Sequence, residues 1–366
     1  MTVRSCLPML LLVPILSLAE SPTNSVSEVF PAEEWAEPVG MNSFTNEIVV
    51  ETEENGETLP EREPVSISKL TYFVRQNDTG GRGSAFLLED TNGVWLVSNV
   101  HVFGGSTNLL IINVEGDTID VPAQIEIAED RDILRFRTDK PQGLRLSSSC
   151  EYDEPICAYG DSGGAGVLTR LKGTAVAIGP DRIEISAEII PGNSGGPVVN
   201  ENSEVVGVSS YLFKHASLPD WITDGTRFTD TRRMAIKLDD VEWSSVEFTD
   251  FYEQTTALAD FEGMLNTTIY IASVLSDGMS QSMHISTEYR PVESWLKRHN
   301  RYARDESEKS QKRVRSNVGR LAKLLEEKEA GPPTEAEITI SFLKGRLADM
   351  KDACIATRRH LKLLSE

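Results

Sequence analysis

Between Ile67 and about Phe213, short apolar runs alternate with turn residues. The runs are Leu70–Val74, Ser84–Leu88, Val94–Ser98, Leu109–Val114 and Ile133–Phe136, then Ile156–Tyr159, Gly173–Ile178, Arg182–Ile185, Pro197–Val199 and Val205–Ser209. So many short strands in one stretch predict an all-β unit, either barrels or a sandwich. Asn92-Gly93 stands between two runs and predicts a tight hairpin. Beyond a loop at about residues 214–230 the period becomes helical. Phe248 to Leu275 predicts one or two helices, and Pro291 opens a charged helical stretch to Glu329. Gly331-Pro332-Pro333 breaks it, and Thr334 to Glu337 reads as a capping box that restarts a helix. Val314, Val318, Leu321 and Leu325 form one apolar stripe. Leu343, Leu347, Met350, Cys354, Leu361 and Leu364 form another, with Thr357 filling the remaining seam position. Two stripes joined by a short turn predict an antiparallel helical hairpin with Cys354 buried in its seam.

The N-terminus changes the picture of where the chain works. Arg4, the apolar run Cys6–Leu16 and the small residues Ser17 and Ala19 on either side of Leu18 predict an export signal over residues 1–19, cleaved before Glu20. The alternative is an uncleaved anchor, although Pro8 and Pro14 interrupt the run and it is short for a bilayer. Residues 20–66 lack a sustained apolar period and read as an acidic disordered linker. The expected organisation continues with a β unit at 67–215, split near 146–156. A linker at 216–243, a helical segment at 244–288 and the hairpin at 289–366 follow. The expected location is outside the cytoplasm, periplasmic or secreted, with no transmembrane segment in the mature chain.

Charge excludes some partners. The formal net charge is −21, which argues against general nucleic-acid binding. Residues 288–366 nevertheless carry 18 basic and 13 acidic side chains. This tail could meet a second copy or an envelope partner, or lie over the β unit as a lid; the plainer reading is the solvated face of helices. Cys150 and Cys157 are close enough in sequence for a disulfide, with two buried thiols as the alternative. No Cys/His cluster has zinc-site spacing, so neither a metal nor a cofactor is expected.

The chemistry lies in a motif written twice. Gly160-Asp161-Ser162-Gly163-Gly164 and Gly192-Asn193-Ser194-Gly195-Gly196 both surround a serine with glycines. A nucleophilic serine needs a base, an orienting carboxylate and backbone donors for the oxyanion, and glycine lets the chain turn sharply enough to aim those donors. Ser194 precedes a predicted hairpin, whereas Ser162 leaves little chain for a second barrel ahead of it. Of five histidines, only His101 ends an apolar strand. Asp132 stands immediately before the run Ile133–Phe136, and Asp130 is the near alternative.

The segments LVSNVHVF, RDILRF and GNSGGPVVNENSEVVGVSS together resemble the trypsin-like serine peptidases of the HtrA type over about residues 67–213. The resemblance implies an all-β double barrel of chymotrypsin-like fold, followed here by an all-α C-terminal region with a helical hairpin. It implies an exported serine endopeptidase acting on protein or peptide substrates. His101, Asp132 and Ser194 would be its triad, with the N–H groups of Gly192 and Ser194 as oxyanion hole. Under it, Ser162 belongs to a glycine turn that opens the second barrel. Asn193 replaces the aspartate through which trypsin zymogens are activated, so that kind of activation is not expected. Glu188, six residues before Ser194, would floor the specificity pocket and favour Lys or Arg; the alternative is a surface glutamate. Ser209, Ser210 and Tyr211 would pair with substrate backbone. No PDZ-like unit is visible in the tail. The rival reading is a catalytically silent, protease-shaped peptide-binding scaffold whose helical tail mediates protein interactions.

Overall fold

The computed structural model describes residues 66–214, 231–285, 290–329 and 337–366. The expected signal, and the acidic linker up to residue 65, lie outside them. The chain first makes β1 (Thr71–Gln76), β2 (Arg82–Asp90), β3 (Gly93–Ser98), β4 (Leu109–Asn113), β5 (Thr118–Ile119), β6 (Gln124–Ala128) and β7 (Leu134–Thr138). One helical turn, α1 (Ile67–Leu70), precedes them, and another, α2 (Val100–Phe103), follows β3. A second group comprises β8 (Pro155–Gly160), β9 (Thr169–Ile178), β10 (Arg182–Ile185), β11 (Pro197–Asn200), β12 (Val205–Lys214) and β13 (Thr231–Ile236). After β14 (Trp243–Glu247) come α3 (Phe248–Asp277), α4 (Arg290–Ala303), α5 (Glu308–Glu329) and α6 (Ser341–Ser365).

The second group closes into a six-stranded barrel, β10-β13-β12-β11-β8-β9. Its core is Ile156, Ala158, Ala175, Ile183, Ile185, Val198, Val206 and Ala235. Small and branched side chains suit the narrow interior of so few strands. The first group is an eight-stranded sheet in the order β14-β6-β7-β3-β2-β1-β4-β5, with β14 and β5 at its edges. The expected pair of barrels is therefore one closed barrel and one open, half-barrel sheet. Its interior is larger-grained: Phe73, Phe86, Leu96, Phe103, Ile111, Ile125 and Phe136 are buried. The Phe103 and Phe136 rings meet edge to face at 6.1 Å.

All ten expected runs are strands or lie at their edges. The expected linker at 216–243 is corrected: β13 closes the barrel between β10 and β12, and β14 pairs with β6. β13 is cryptic because Thr231-Arg232-Arg233 opens it. Arg232 reaches Glu184 and Arg233 reaches the Ile189 carbonyl, so the first half of the strand is polar and only Met234–Ile236 are buried. The hairpin at Asn92-Gly93 forms, with Asp90 Oδ1 accepting from the N–H groups of both residues at 2.7 and 3.1 Å.

Arg135 ties β14 to the sheet. Its guanidinium lies 4.1 Å from the ring centroids of Trp95 and of Trp243, and its Nε donates to Glu126 at 2.6 Å. A planar cation between two aromatic faces gains on both sides.

The tail is more than a hairpin. α5 and α6 are antiparallel, since Gly319 faces Ser365 while Cys354 Sγ approaches the Leu325 carbonyl. All four helices pack together, α4 on α5 and α3 on α6. Val314, Val318, Leu321, Leu325, Leu343, Leu347, Cys354 and Leu361 are buried inside this group. The stripes offered by the sequence are thus satisfied within one chain. The charged stretch divides at Asp305, whose carboxylate accepts from Ser307 N and Ser310 Oγ, while Ser307 Oγ accepts from Ser310 N and caps α5. The expected capping box falls partly outside the described residues, and α6 begins at Ser341. There the buried Gln254 side chain of α3 accepts from the N–H groups of Thr339 and Ile340 at 2.7 and 3.0 Å. No helix of the described residues is long and apolar enough to cross a membrane.

Cys150 and Cys157 are not bridged. Cys150 packs against the barrel core, where burial pushes its thiol up to about 12. Cys157 alternates with the core residues Ile156 and Ala158, so its side chain points away from that core and meets Arg170.

Two measurements test this packing. Arg135→Lys loses the planar double stack, and urea unfolding should show a loss of about 1–2 kcal/mol. His299 is fully buried, stacks on Trp295 at 5.1 Å and donates from Nε2 to the Gln281 carbonyl. Burial pushes its imidazole below its ordinary value of 6.5, against that hydrogen bond. The unfolded chain therefore binds a proton before the folded chain does. The stability His299 gives is complete above about pH 6.5 and declines as pH falls below it. Thermal midpoints followed by dichroism from pH 7.5 to 5.5 should fall, and His299→Leu should flatten that slope.

Candidate active site

β3 ends at Ser98, and the next turn, α2, carries His101 at the rim of the sheet. Asp132 sits just before β7. The two are joined twice: His101 N–H donates to Asp132 Oδ1 at 3.1 Å, and His101 Nδ1 lies 2.5 Å from Oδ2. Asn99 Nδ2 donates to the Asp132 carbonyl at 2.7 Å and holds the backbone there. Burial pushes the Asp132 carboxyl up, but the His101 charge and hydrogen bond, helped by Arg346, outweigh it and hold the group below the ordinary carboxylate range. Asp132 is thus an ionised acceptor. In the neutral imidazole the Nδ1 proton then faces the carboxylate, which leaves the Nε2 lone pair as the basic site. Nε2 is buried and has no hydrogen-bond partner. Asp130, the alternative carboxylate, pairs instead with Arg131 at 2.8 Å and is 58% exposed.

Ser194 comes from the barrel, in the loop before β11, and is 4% exposed. Its hydroxyl donates to the Ser210 carbonyl at 2.8 Å. Ser210 also reaches the acid, with its own hydroxyl 3.3 Å from Asp132 Oδ2. One residue therefore touches both Asp132 and Ser194. Ser210 can do this because the register of β12 against β13 shifts between Ser209 and Tyr211, leaving Ser210 as a bulge.

The loop 191–196 is held at every peptide. Gly163 N donates to the Pro191 carbonyl at 2.7 Å, and Ser84 Oγ donates to the Gly192 carbonyl at 2.8 Å. Gly196 N donates to the Asn193 carbonyl at 3.0 Å, and Ser84 N donates to the Ser194 carbonyl at 2.7 Å. Two glycines are obligatory. Gly192 has φ 97°, and a Cβ there would lie 1.9 Å from the Asp161 carbonyl oxygen. Gly195 has φ 86°, and a Cβ would lie 2.0 Å from the Ser84 carbonyl oxygen. The N–H groups of Gly192 and Ser194 have no acceptor among the described residues.

The first motif lies against the second. Gly160-Asp161 leads from β8 into a short turn at Ser162–Gly164 before β9. Ser162 Oγ donates to Asn193 Oδ1 at 3.1 Å, and Asp161 N donates to Ser84 Oγ at 2.9 Å. Asp161 Oδ1 accepts from Gly166 N and Val167 N. Burial nevertheless pushes its carboxyl above the ordinary range.

The expected substrate-side residues differ in how far their backbone is already engaged. Ser209 has both backbone groups engaged, by Gly196 O and Gly195 N at 2.8 Å each, and Tyr211 pairs with Met234. Of these three residues, Ser210, at the bulge, is the one without a register partner. Glu188 is exposed between the buried Ala187 and Ile189, which favours the surface reading over an enclosed pocket floor. Sequence reasoning missed Ser84, Ser98 and Asn99, which support the site from within or beside apolar strands and carry no motif of their own. Among the described residues no group of His, Cys, Asp and Glu is arranged to hold a metal.

Residues 83–208 match the trypsin-like peptidase domain. The putative serine protease HhoA of Synechocystis sp. is 29% identical over 156 residues, 38% of this chain and 39% of that protein. The serine protease Do-like HtrA of Bacillus subtilis is 27% identical over 157 residues, 37% of this chain and 34% of that protein. The match therefore spans well under half the length of these relatives. Among solved structures, the serine endoprotease from Yersinia pestis covers 48% of this chain and 64% of its own, at 17% identity and a TM-score of 0.35. Residues 83–208 of this chain are a trypsin-like peptidase domain of the HtrA type.

Proposed function

We propose that this protein is a serine endopeptidase that cleaves protein substrates through His101, Asp132 and Ser194. The observation that carries the reading is the doubly bonded His101–Asp132 pair, with Nε2 left as an unpartnered base and Ser210 linking Asp132 to Ser194. In the proposed cycle the Ser194 hydroxyl leaves the Ser210 carbonyl and turns to Nε2. A substrate N–H that takes the Ser210 carbonyl would favour this by replacing the donor there. His101 then accepts the hydroxyl proton as Ser194 Oγ attacks the scissile carbonyl. Asp132, held ionised, stabilises the imidazolium. The free N–H groups of Gly192 and Ser194 receive the oxyanion. His101 returns the proton to the leaving amine, and water hydrolyses the acyl-enzyme by the same steps in reverse order. The proposal includes export, supported by Cys6–Leu16 and Ser17–Ala19.

One observation favours the silent-scaffold alternative: the Ser194 hydroxyl bonds to Ser210 and not to His101. A fluorophosphonate probe separates the two. The expected result is a single label on the peptide containing Ser194, absent in Ser194→Ala, together with hydrolysis of an unfolded protein. Peptide binding with no labelling would favour the scaffold. Asp132→Asn keeps the shape of the acid but removes its charge and favours the wrong imidazole tautomer. With an intact fold, kcat should fall by about 10⁴.

A further inference from the structure

Asn193 lies between the two N–H groups assigned to the oxyanion. It is fully buried, so its amide must be satisfied by the protein. Its Oδ1 accepts from Ile190 N at 2.9 Å and from Ser162 Oγ at 3.1 Å. Its own N–H donates to the Ile190 carbonyl at 3.1 Å, so backbone and side chain close one turn over residues 190–193. Asn193 Nδ2 has only a 3.5 Å contact, to Thr169 Oγ1. Ser162 and Thr169 lie 2.5 Å apart. With the single Ser162 proton given to Asn193, Thr169 is the donor in that pair, and its proton is shared with the Gly160 carbonyl 2.9 Å away.

Peptide planarity turns these anchors into aim. The carbonyl of Pro191 and the N–H of Gly192 belong to one plane and point in opposite directions. Gly163 N holds that carbonyl at 2.7 Å. The carbonyl of Asn193 and the N–H of Ser194 share the next plane but one, and Gly196 N holds that carbonyl at 3.0 Å. Each proposed oxyanion donor is thus aimed from behind, one of them directly by the first glycine motif. The Asn193 side chain fixes the turn that joins them, and Ser162 fills the second acceptor site of its oxygen.

We propose that Ser162 is a positioning residue for the oxyanion hole, acting through Asn193. The serine of the literal GDSGG motif would therefore serve the reaction without touching substrate. This rests on the proposed role of Ser194. It explains how the loop is held with a neutral Asn193, which cannot form an ion pair with a chain terminus. Loss of the Ser162 hydroxyl leaves a buried amide oxygen with one donor and lets the turn relax. The cost then falls on the transition state, where the oxyanion forms, and not on binding of the uncharged ground state.

The test uses the full chain. For wild type, Ser162→Ala and Ser162→Thr, kcat and KM on a peptide substrate, the rate constant for fluorophosphonate labelling and the thermal midpoint are measured together. Ser162→Ala should lower kcat and the labelling rate about tenfold, a fraction of what loss of a whole oxyanion donor costs. KM should change little, and Ser162→Thr, which keeps the hydroxyl, should recover most of the loss. Wild-type kcat and labelling in Ser162→Ala would overturn the proposal. So would a loss that Ser162→Thr does not restore, or one explained by a thermal midpoint below the assay temperature. Absence of labelling in the wild-type chain, or undiminished labelling of Ser194→Ala, overturns the nucleophile assignment instead. The Ser162 comparison is read only on a wild-type chain that labels at Ser194.

Discussion

Ser84 is the point at which the two β units are held in register. It stands on β2 of the open sheet, yet its hydroxyl accepts from Asp161 N and donates to the Gly192 carbonyl, both in the barrel. Its N–H donates to the Ser194 carbonyl, and its own carbonyl accepts from Ser98 Oγ of β3. The constraint matters because the proposed machinery is divided. His101 and Asp132 belong to the sheet, Ser194 to the barrel. A proton can pass between units only if their boundary is fixed to within a few tenths of an ångström. Three hydrogen bonds at one buried serine cross that boundary, the fourth anchors the serine to β3, and the absence of a Cβ at Gly195 lets the loop approach β2 closely enough to make them.

The doubled motif follows from the same constraint. Two glycine turns pack face to face, so each must be nearly free of side-chain bulk. Gly192 presses on the Asp161 carbonyl, and Gly160 lies against Asn193. Similar letters at 160–164 and 192–196 thus describe two surfaces of one contact. The difference between Asp161 and Asn193 is also physical. Asp161 has two backbone donors on one oxygen and none on the other, while Asn193 spreads its amide over Ile190, Ser162 and Thr169.

What could be read along the chain was whatever repeats or concentrates a signal. Alternation disclosed ten strands of the two β units, though not β5 or β6, and the heptad stripes disclosed α5 and α6. Asp132 was legible because it opens β7, and the cluster at 192–196 because glycine is so strongly selected by a crowded turn. Three kinds of feature were hidden. β13 opens with Thr231-Arg232-Arg233, and β14 is mostly serine and glutamate, so their apolar residues are too sparse to stand out. Closure of the barrel, but not of the sheet, depends on pairing between distant strands, which no local period encodes. Ser84 and Ser210 work through a backbone carbonyl or N–H as much as through a side chain, and a bulge such as that at Ser210 leaves no mark in residue type. The thiols failed for a related reason: seven positions separate Cys150 from Cys157, but the pleat of β8 turns Cys157 away from the core that Cys150 joins.

The helical region belongs to the same system of anchors. Its apolar stripes are buried internally, so the group behaves as a packed unit and does not present an open seam. Its contact with the β part falls beside the proposed base. Thr255 Oγ1 of α3 accepts from Gly105 N at 3.0 Å, immediately after the turn that carries His101. The Thr255 methyl and Cβ lie so close to Gly104 that a side chain there would meet them at 3.2 Å. The preceding residue, Gln254, ties α3 to the start of α6. Farther along, Glu262 pairs with Arg346 of α6, whose charge is among those that keep Asp132 ionised. A rigid helix seated on the end of α2 limits how far His101 can tilt. A cation on the neighbouring helix lowers the cost of a buried carboxylate. The tail thus acts on the base through position and on the acid through charge, and both effects require α3 and α6 to remain packed together.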